Sequence, residues 1–354
     1  CLGWVGMDPS DVTSEWLTDR LRRSPSVPDG GSITGFEAEA IGAGKVGRTF
    51  RFELEWDGPP GPDTVVGKFA SDDEQSRMAG LLTGTYVREV NFFHQLADRV
   101  DIRMPTCHHA ELDVMTGDFA ILMDDLAPAE VGDQLAGCSV DDARAALSEL
   151  VGLHAPDLPD LESIDWLVAK RPEGAEAMGG LYLALLPAFV ERYADRLPDE
   201  TVTTAQRFGG CVNRWLELAS PPFRLLHGDY RLDNLMFGPQ GVVAVDWQTV
   251  GHGPPVSDVS YFCGASLLTD DRRRHEEGLV RAYHALLQER TGGLLTWERC
   301  WADYRLHAVA GLHMAVVASA LVTEDARGDA MFCAMAVRHA AHVTDFETLA
   351  LLEA

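Results

Sequence analysis

Polar and apolar residues alternate along two early stretches of the chain, Ile33 to Ile41 and Thr49 to Trp56. In the second, Phe50, Phe52, Leu54 and Trp56 share one face, the period-two signature of half-buried strands. A glycine-rich turn joins the two into a hairpin. The cluster Asp57-Gly58-Pro59-Pro60-Gly61-Pro62 marks the next turn, and Val65 to Phe69 forms a third strand. Before them, residues 11–23 read as a short amphipathic helix capped by Thr13 or Ser14. After them the period changes to that of a helix, with Tyr86, Val90, Phe93 and Leu96 along one side. Strands from Ala110 to Val114 and Phe119 to Met123 flank a Thr116-Gly117 turn. From there the pattern is helical, over 139–155, 175–196, 201–219, 270–291, 294–323 and 326–353, interrupted by a loop-and-strand region from Leu225 to Val250. No internal repeat is evident. The expectation is an α+β chain: a strand-rich lobe over 1–125 with an antiparallel sheet and one main helix, then a mostly helical lobe over 126–354.

Composition narrows the function classes. At 354 residues, with 46% hydrophobic and 24% charged positions, the chain can bury two ordinary cores. A formal charge of -26 opposes polyanions, so neither nucleic acid nor an anionic membrane surface is an expected partner. The acidic surface also favours cationic ligands by steering, although solubility explains it more simply. The seven cysteines are scattered without metal-ligand spacing and read as buried reduced thiols. No basic segment followed by an apolar core and a small-residue cleavage site is present, so the expected location is the cytoplasm. The apolar run from His307 to Val322 is shorter than the roughly 18 residues a membrane span needs, and reads as a buried helix. His108, His109, His154, His307 and His313 lack metal-motif spacing, and the run Arg272-Arg273-Arg274 reads as a solvated helix face.

The chemistry is concentrated in Leu225-Leu226-His227-Gly228-Asp229-Tyr230-Arg231-Leu232-Asp233-Asn234-Leu235-Met236-Phe237, followed by Val242-Val243-Ala244-Val245-Asp246-Trp247-Gln248. An apolar strand delivers a His-x-Asp turn, an Asn follows five residues after that Asp, and a second apolar strand ends in another Asp. This is the order of a kinase catalytic loop and metal site. Phosphoryl transfer needs an oriented hydroxyl and neutralised phosphate charge. Asp229 is the expected base; Asn234 and Asp246 supply the amide and carboxylate oxygens that suit Mg2+.

Those segments resemble the aminoglycoside phosphotransferase and choline kinase superfamily, which has the protein-kinase-like fold. The form HGDYRLDN with VDWQ is most similar to the ecdysteroid-kinase-like proteins and the kinase domains associated with acyl-CoA dehydrogenases. The resemblance implies that His227 supports the catalytic turn and that Asp258 braces it from a helix start, a role compatible with a plain helix N-cap. It implies that Lys68, on the third strand, contacts the α- and β-phosphates of ATP and that Glu89, on the following helix, holds the lysine. Lysine occurs elsewhere only at 45 and 170, so Lys68 is unlike filler. Ile121-Leu122-Met123-Asp124-Asp125-Leu126 resembles the hinge whose backbone meets adenine, placing Met123 and Asp124 there.

The run Gly42-Ala43-Gly44-Lys45-Val46-Gly47 fits more than one template. A dinucleotide fingerprint or a P-loop requires a helix next, and a strand follows instead. Strand, glycine loop, strand, lysine strand is the kinase order, which puts Gly42, Gly44 and Gly47 over the phosphates.

The expected activity is therefore ATP- and Mg2+-dependent phosphorylation of a small-molecule alcohol or amino alcohol, with ATP bound between the lobes. The alternatives are a catalytically silent nucleotide-binding scaffold, a nucleotide-dependent dehydrogenase that leaves Asp229, Asn234 and Asp246 unexplained, and a protein kinase. Asp-Trp-Gln in place of Asp-Phe-Gly, with no Ala-Pro-Glu segment after it, argues against the last. The acceptor's identity is not legible.

Overall fold

The computed structural model describes residues 11–24, 27–42, 47–169, 174–320, 322 and 324–354. Two compact units emerge. One takes in the chain up to Asp98 together with Met104–Pro128; the other comprises Arg99–Arg103 and Ala129–Ala354.

The first unit is built on an antiparallel sheet of β1 (Ser32–Ile41), β2 (Gly47–Asp57), β3 (Thr64–Ala70), β4 (Cys107–Leu112) and β5 (Phe119–Asp124), in the order β1-β2-β3-β5-β4. Strand alternation sorts its two faces. Phe52, Val65, Phe69, Ala120 and Leu122 pack against Leu17 and Leu21 of α1 (Ser14–Leu21), which Thr13 caps by accepting from the Trp16 N–H. Ala70, Phe119 and Ile121 lie on the other face, against Tyr86 and Val90 of α3 (Thr85–Gln95). Lys68 is two residues before Ala70 on β3, so it belongs to the α3 face. The helical period around Tyr86 conceals a second helix, α2 (Glu74–Leu82), capped by Asp73 through the Ser76 N–H and separated from α3 at Gly84 with φ 71°. β4 starts earlier and ends earlier than its alternation predicts, at Cys107 and Leu112, because Asp113 folds back on Asp118 and Gly117 in the turn.

The second unit is mostly helical. Its strands are short: β6 (Glu130–Val131) and β10 (Gly241–Ala244) flank β9 (Leu235–Gly238), and β7 (Val168–Ala169) and β8 (Arg224–Leu226) flank β11 (Gly251–Gly253). Four of them, β6, β7, β8 and β11, are two or three residues long, too short to carry a periodic signal. The helices are α4 (Val140–His154), α5 (Ala175–Tyr193), α6 (Asp199–Gly209), α7 (Val212–Glu217), α8 (Val256–Ser266), α9 (Thr269–Thr291), α10 (Trp297–Leu306), α11 (Ala310–Ser319), α12 (Ala326–Asp345) and α13 (Thr348–Glu353). Three long sequence-predicted helices are each split: at Gly210 between α6 and α7, by a 3-10 turn His307–Val309 between α10 and α11, and at Glu347, φ 50°, between α12 and α13. The core joins Tyr182 and Phe189 of α5, Phe208 of α6, Trp215 of α7, Leu312 of α11 and Phe332 of α12. No helix among the described residues is long and apolar enough to cross a membrane.

Candidate active site

In the first unit Lys68 and Glu89 meet directly. Nζ lies 2.8 and 2.7 Å from the two carboxylate oxygens, with the carboxylate side chain only 2% exposed. Thr49 of β2 pairs with Lys68 in the sheet register, and Ile41 of β1 pairs with Thr49, so the glycine segment joins strands beside this pair. Gly42 has φ 75°, and a Cβ on Gly47 would meet the Phe69 carbonyl at 2.8 Å and Lys68 Cε at 3.7 Å. Gly47 therefore lets the backbone lie close against the Phe69 carbonyl. Gly44 lies outside the described residues. Met123 and Asp124 end β5 between β3 and β4. The Asp124 N–H donates to the Thr106 carbonyl and its carboxylate pairs with His108 at 2.9 Å, so this amide is already engaged.

In the second unit β8 runs into His227, Gly228 and Asp229. Gly228 has φ 82°, and a Cβ there would stand 2.3 Å from the Thr249 carbonyl, so the turn admits only glycine. Asp258 lies in the first turn of α8, whose N-cap is Pro255, and its carboxylate accepts the backbone N–H of His227 at 2.7 Å and of Gly228 at 3.2 Å. It thus ties the turn down rather than capping its own helix. His227 is buried; burial outweighs the neighbouring carboxylates and lowers its pKa, keeping the ring neutral. Its Nδ1 accepts the Asp229 N–H at 3.4 Å, so Nε2 carries the proton and donates to the Val245 carbonyl at 3.1 Å. Thr249 Oγ1 donates to the His227 carbonyl.

Asp229 and Asn234 are in contact. Asn234 Nδ2 is 2.9 Å from both the carbonyl oxygen and Oδ2 of Asp229, partners that require the amide's donor end and turn its own Oδ1 elsewhere. The Val245 N–H donates to the Asn234 carbonyl. Val245 is therefore pinned between Asn234 and His227, and Asp246 follows it at φ 66°, a conformation uncommon for a residue with a side chain. Gln248 Nε2 reaches Asp246 Oδ2 at 3.3 Å, and Trp247 is fully buried with its ring centroid 4.7 Å from that of His227. Asn234 precedes β9 and Asp246 follows β10, and the Val245 N–H ties the two segments together; an amide oxygen and a carboxylate are the kinds of oxygen ligand a hard divalent cation takes.

Several contributors carry no motif of their own. Arg231 Nε lies 3.1 Å from each Asp229 oxygen, while its Nη1 donates to Asp233 at 2.7 Å. Although burial opposes it, Asp229 and Asp233 raise the Arg231 pKa and keep the guanidinium charged. Burial would likewise raise the Asp233 carboxyl, but Arg327 and Arg231 outweigh it and hold it below its ordinary value. Gln134 accepts the Leu232 N–H and donates to the Ala265 carbonyl, bridging the loop to α8. The Tyr261 hydroxyl donates to Asp229 Oδ1 at 2.5 Å. Arg231 was detectable as a charge two residues from Asp229, and Tyr261 as one helical turn beyond Asp258; Gln134, a hundred residues upstream, offered no signal. The histidines without motif spacing serve the structure: His154 Nδ1 meets the Tyr283 hydroxyl, His307 accepts from Trp215, and His109 pairs with Glu111. Arg272 is buried and paired with Glu276 and Asp345 rather than solvated, which corrects the reading at that position, while Arg273 and Arg274 are exposed.

A two-unit chain with an antiparallel sheet, an internal lysine-glutamate pair and this Asp-Asn loop has a kinase-like fold, and the chain belongs to the phosphotransferase enzyme family, whose model matches residues 43–299. A candidate aminoglycoside phosphotransferase from Ralstonia eutropha is similar over 94% of this chain and 98% of its own, with a TM-score of 0.54 at 19% identity. Choline kinase from Cryptosporidium parvum is similar over 94% of this chain and 96% of its own, with a TM-score of 0.56 at 10% identity. These likenesses are of fold. A stretch of 61 residues is 46% identical to mouse (Mus musculus) acyl-CoA dehydrogenase family member 10; it takes in 16% of this chain and 6% of the mouse protein, and fits the acyl-CoA-dehydrogenase-associated branch.

Proposed function

We propose that this phosphotransferase moves the γ-phosphoryl group of ATP to a hydroxyl of a small-molecule alcohol or amino alcohol. The observation that carries the reading is the direct contact of Asn234 with Asp229, beside an Asp246 fixed at positive φ. Asn234 Oδ1 and the Asp246 carboxylate would hold Mg2+, which when bound offsets charge on the phosphates. Lys68, kept in place by Glu89, meets the α- and β-phosphates, with the backbone at Gly42, Gly44 and Gly47 beside them. The backbone around Met123 and Asp124 receives adenine, with Asp124 contributing through its carbonyl because its N–H is engaged. Asp229 orients the acceptor hydroxyl and takes its proton as the new oxygen–phosphorus bond forms; the bond to the β,γ-bridging oxygen breaks, and ADP leaves. His227 and Asp258 keep Asp229 on the loop where this happens. The six described cysteines are free thiols, which supports a reducing compartment such as the cytoplasm.

The test is transfer of γ-labelled phosphate from ATP with Mg2+ across amino sugars, amino alcohols, sugars, macrolides and sterols, with Asp229→Ala as control. Labelling of one class that disappears in the variant is expected. A chain that binds no nucleotide, or an Asp229→Ala variant with normal turnover, would overturn the reading.

A further inference from the structure

The Asp229 carboxylate is met by three side chains of its own unit: Tyr261 and Arg231 at Oδ1, Arg231 and Asn234 at Oδ2. The Arg231 contribution is one Nε hydrogen shared between both oxygens at 3.1 Å, so it does not fix which way the carboxylate is turned. Tyr261 and Asn234 each commit to one oxygen and do fix it.

Tyr261 is itself built into place. It lies on α8 three residues after Asp258, so one helix face supplies both the group that ties the backbone of the catalytic turn and the group that holds its side chain. The Tyr261 ring packs on His339 of α12, centroids 5.7 Å apart and 31° from parallel. His339 Nδ1 is bonded to the Ala308 carbonyl at 3.0 Å. Two glycines make room for that imidazole: a Cβ on Gly311 would stand 1.9 Å from His339 Nε2, and one on Gly264 2.4 Å from Cε1. Space cleared in two helices thus seats a histidine beneath a fully engaged tyrosine. Burial, reinforced by the Asp229 charge, raises the Tyr261 pKa far above the ordinary phenol value, and burial lowers His339 to about 4. The phenol therefore stays a donor and the imidazole stays neutral across the physiological range.

We infer that Tyr261 is a positioning residue for phosphoryl transfer: its hydroxyl holds Oδ1 so that the Asp229 carboxylate is turned to receive the acceptor hydroxyl. This rests on the reading of Asp229 as the proton acceptor. An incoming hydroxyl displaces the weak, shared Arg231 hydrogen, and Tyr261 and Asn234 keep the carboxylate from following the guanidinium as it yields.

The test compares the full-length chain with Tyr261→Phe, Asp229→Asn and the double variant. It reads ADP release from ATP with Mg2+, with water as acceptor and then with any acceptor found by the labelling panel. Tyr261→Phe is expected to lower kcat roughly ten-fold, the weight of one hydrogen bond to a charged group, with KM for ATP and the melting temperature unchanged. In the Asp229→Asn background the same change is expected to cost nothing further, because Tyr261 acts through Asp229. Two results overturn the inference: wild-type kcat in Tyr261→Phe, or a loss that multiplies with Asp229→Asn or travels with melting temperature and KM, as a packing role requires. Full activity in Asp229→Asn alone would instead remove the reading of Asp229 on which this rests.

Discussion

The ammonium of Lys68 is held by both carboxylate oxygens of Glu89, at 2.8 and 2.7 Å, from a strand to a helix 21 residues further along. Neither residue is well exposed, at 15% and 2% of the side chain, so the pair carries a desolvation cost that its partnership offsets. Removing one member takes from the other buried charge the partner it meets at both oxygens. Lys68→Met is expected to destabilise the protein by about 3 kcal/mol, and Lys68→Met with Glu89→Leu to recover most of that, since both buried charges are then removed. Urea unfolding of the single and double variants measures it. MgATP binding is expected to be lost in both, which separates the structural from the proposed functional role.

Gly228→Ala is expected to lower stability by about 1–3 kcal/mol and to abolish turnover, because a Cβ at φ 82° would collide with the Thr249 carbonyl 2.3 Å away. Thermal melting together with ADP release checks it. An alanine variant with native melting and turnover would show that the turn tolerates a side chain.

Asp258→Asn keeps the shape but exchanges an anion accepting two backbone N–H groups for an amide with one acceptor atom. Hydrogen bonds to a charged group are each worth about 1.5–3 kcal/mol, so the loss of one should loosen the His227–Asp229 turn and lower kcat by about ten-fold or more. Hydrogen exchange at the amides of His227 and Gly228 should rise in step. Unchanged exchange would mean that other contacts hold the turn.

Stability should fall as pH drops below neutrality. His339 titrates at about 4 when folded and near about 6.5 when unfolded, so between those values the unfolded chain binds the extra proton and is favoured. This one group costs up to about 1.4 kcal/mol per pH unit on the way down, and the lowered pKa values of His227 and His342 act in the same direction. Urea unfolding from about pH 7 to about pH 5 should show that slope, and His339→Asn should flatten it. An equal slope in the variant would place the dependence elsewhere.

How much of this was legible beforehand follows from which interactions are local. The sheet strands with alternating side chains, the capping Thr13 and the His227-to-Asp246 segment are written in neighbouring residues, and the five-residue spacing of Asp229 and Asn234 is enough for a loop to bring a donor amide back onto its own aspartate. Breaks within helices were not legible: α6 from α7, α10 from α11 and α12 from α13 part where tertiary packing overrides a continuous helical period. α2 was hidden because it is only nine residues long and α3 begins directly after Gly84.

The sequence by itself determined the class of chemistry and the order of strand, glycine segment, lysine strand and Asp-Asn loop, since these follow from residue type and short spacing. Only the tertiary structure decided which groups surround Asp229. Tyr261 and Gln134 reach the His227–Asn234 loop because a helix and a loop distant in sequence converge on it, and His339 stands behind Tyr261 because Gly264 and Gly311, on two other helices, leave the space. Such relationships depend on where buried surfaces meet, which no local period records.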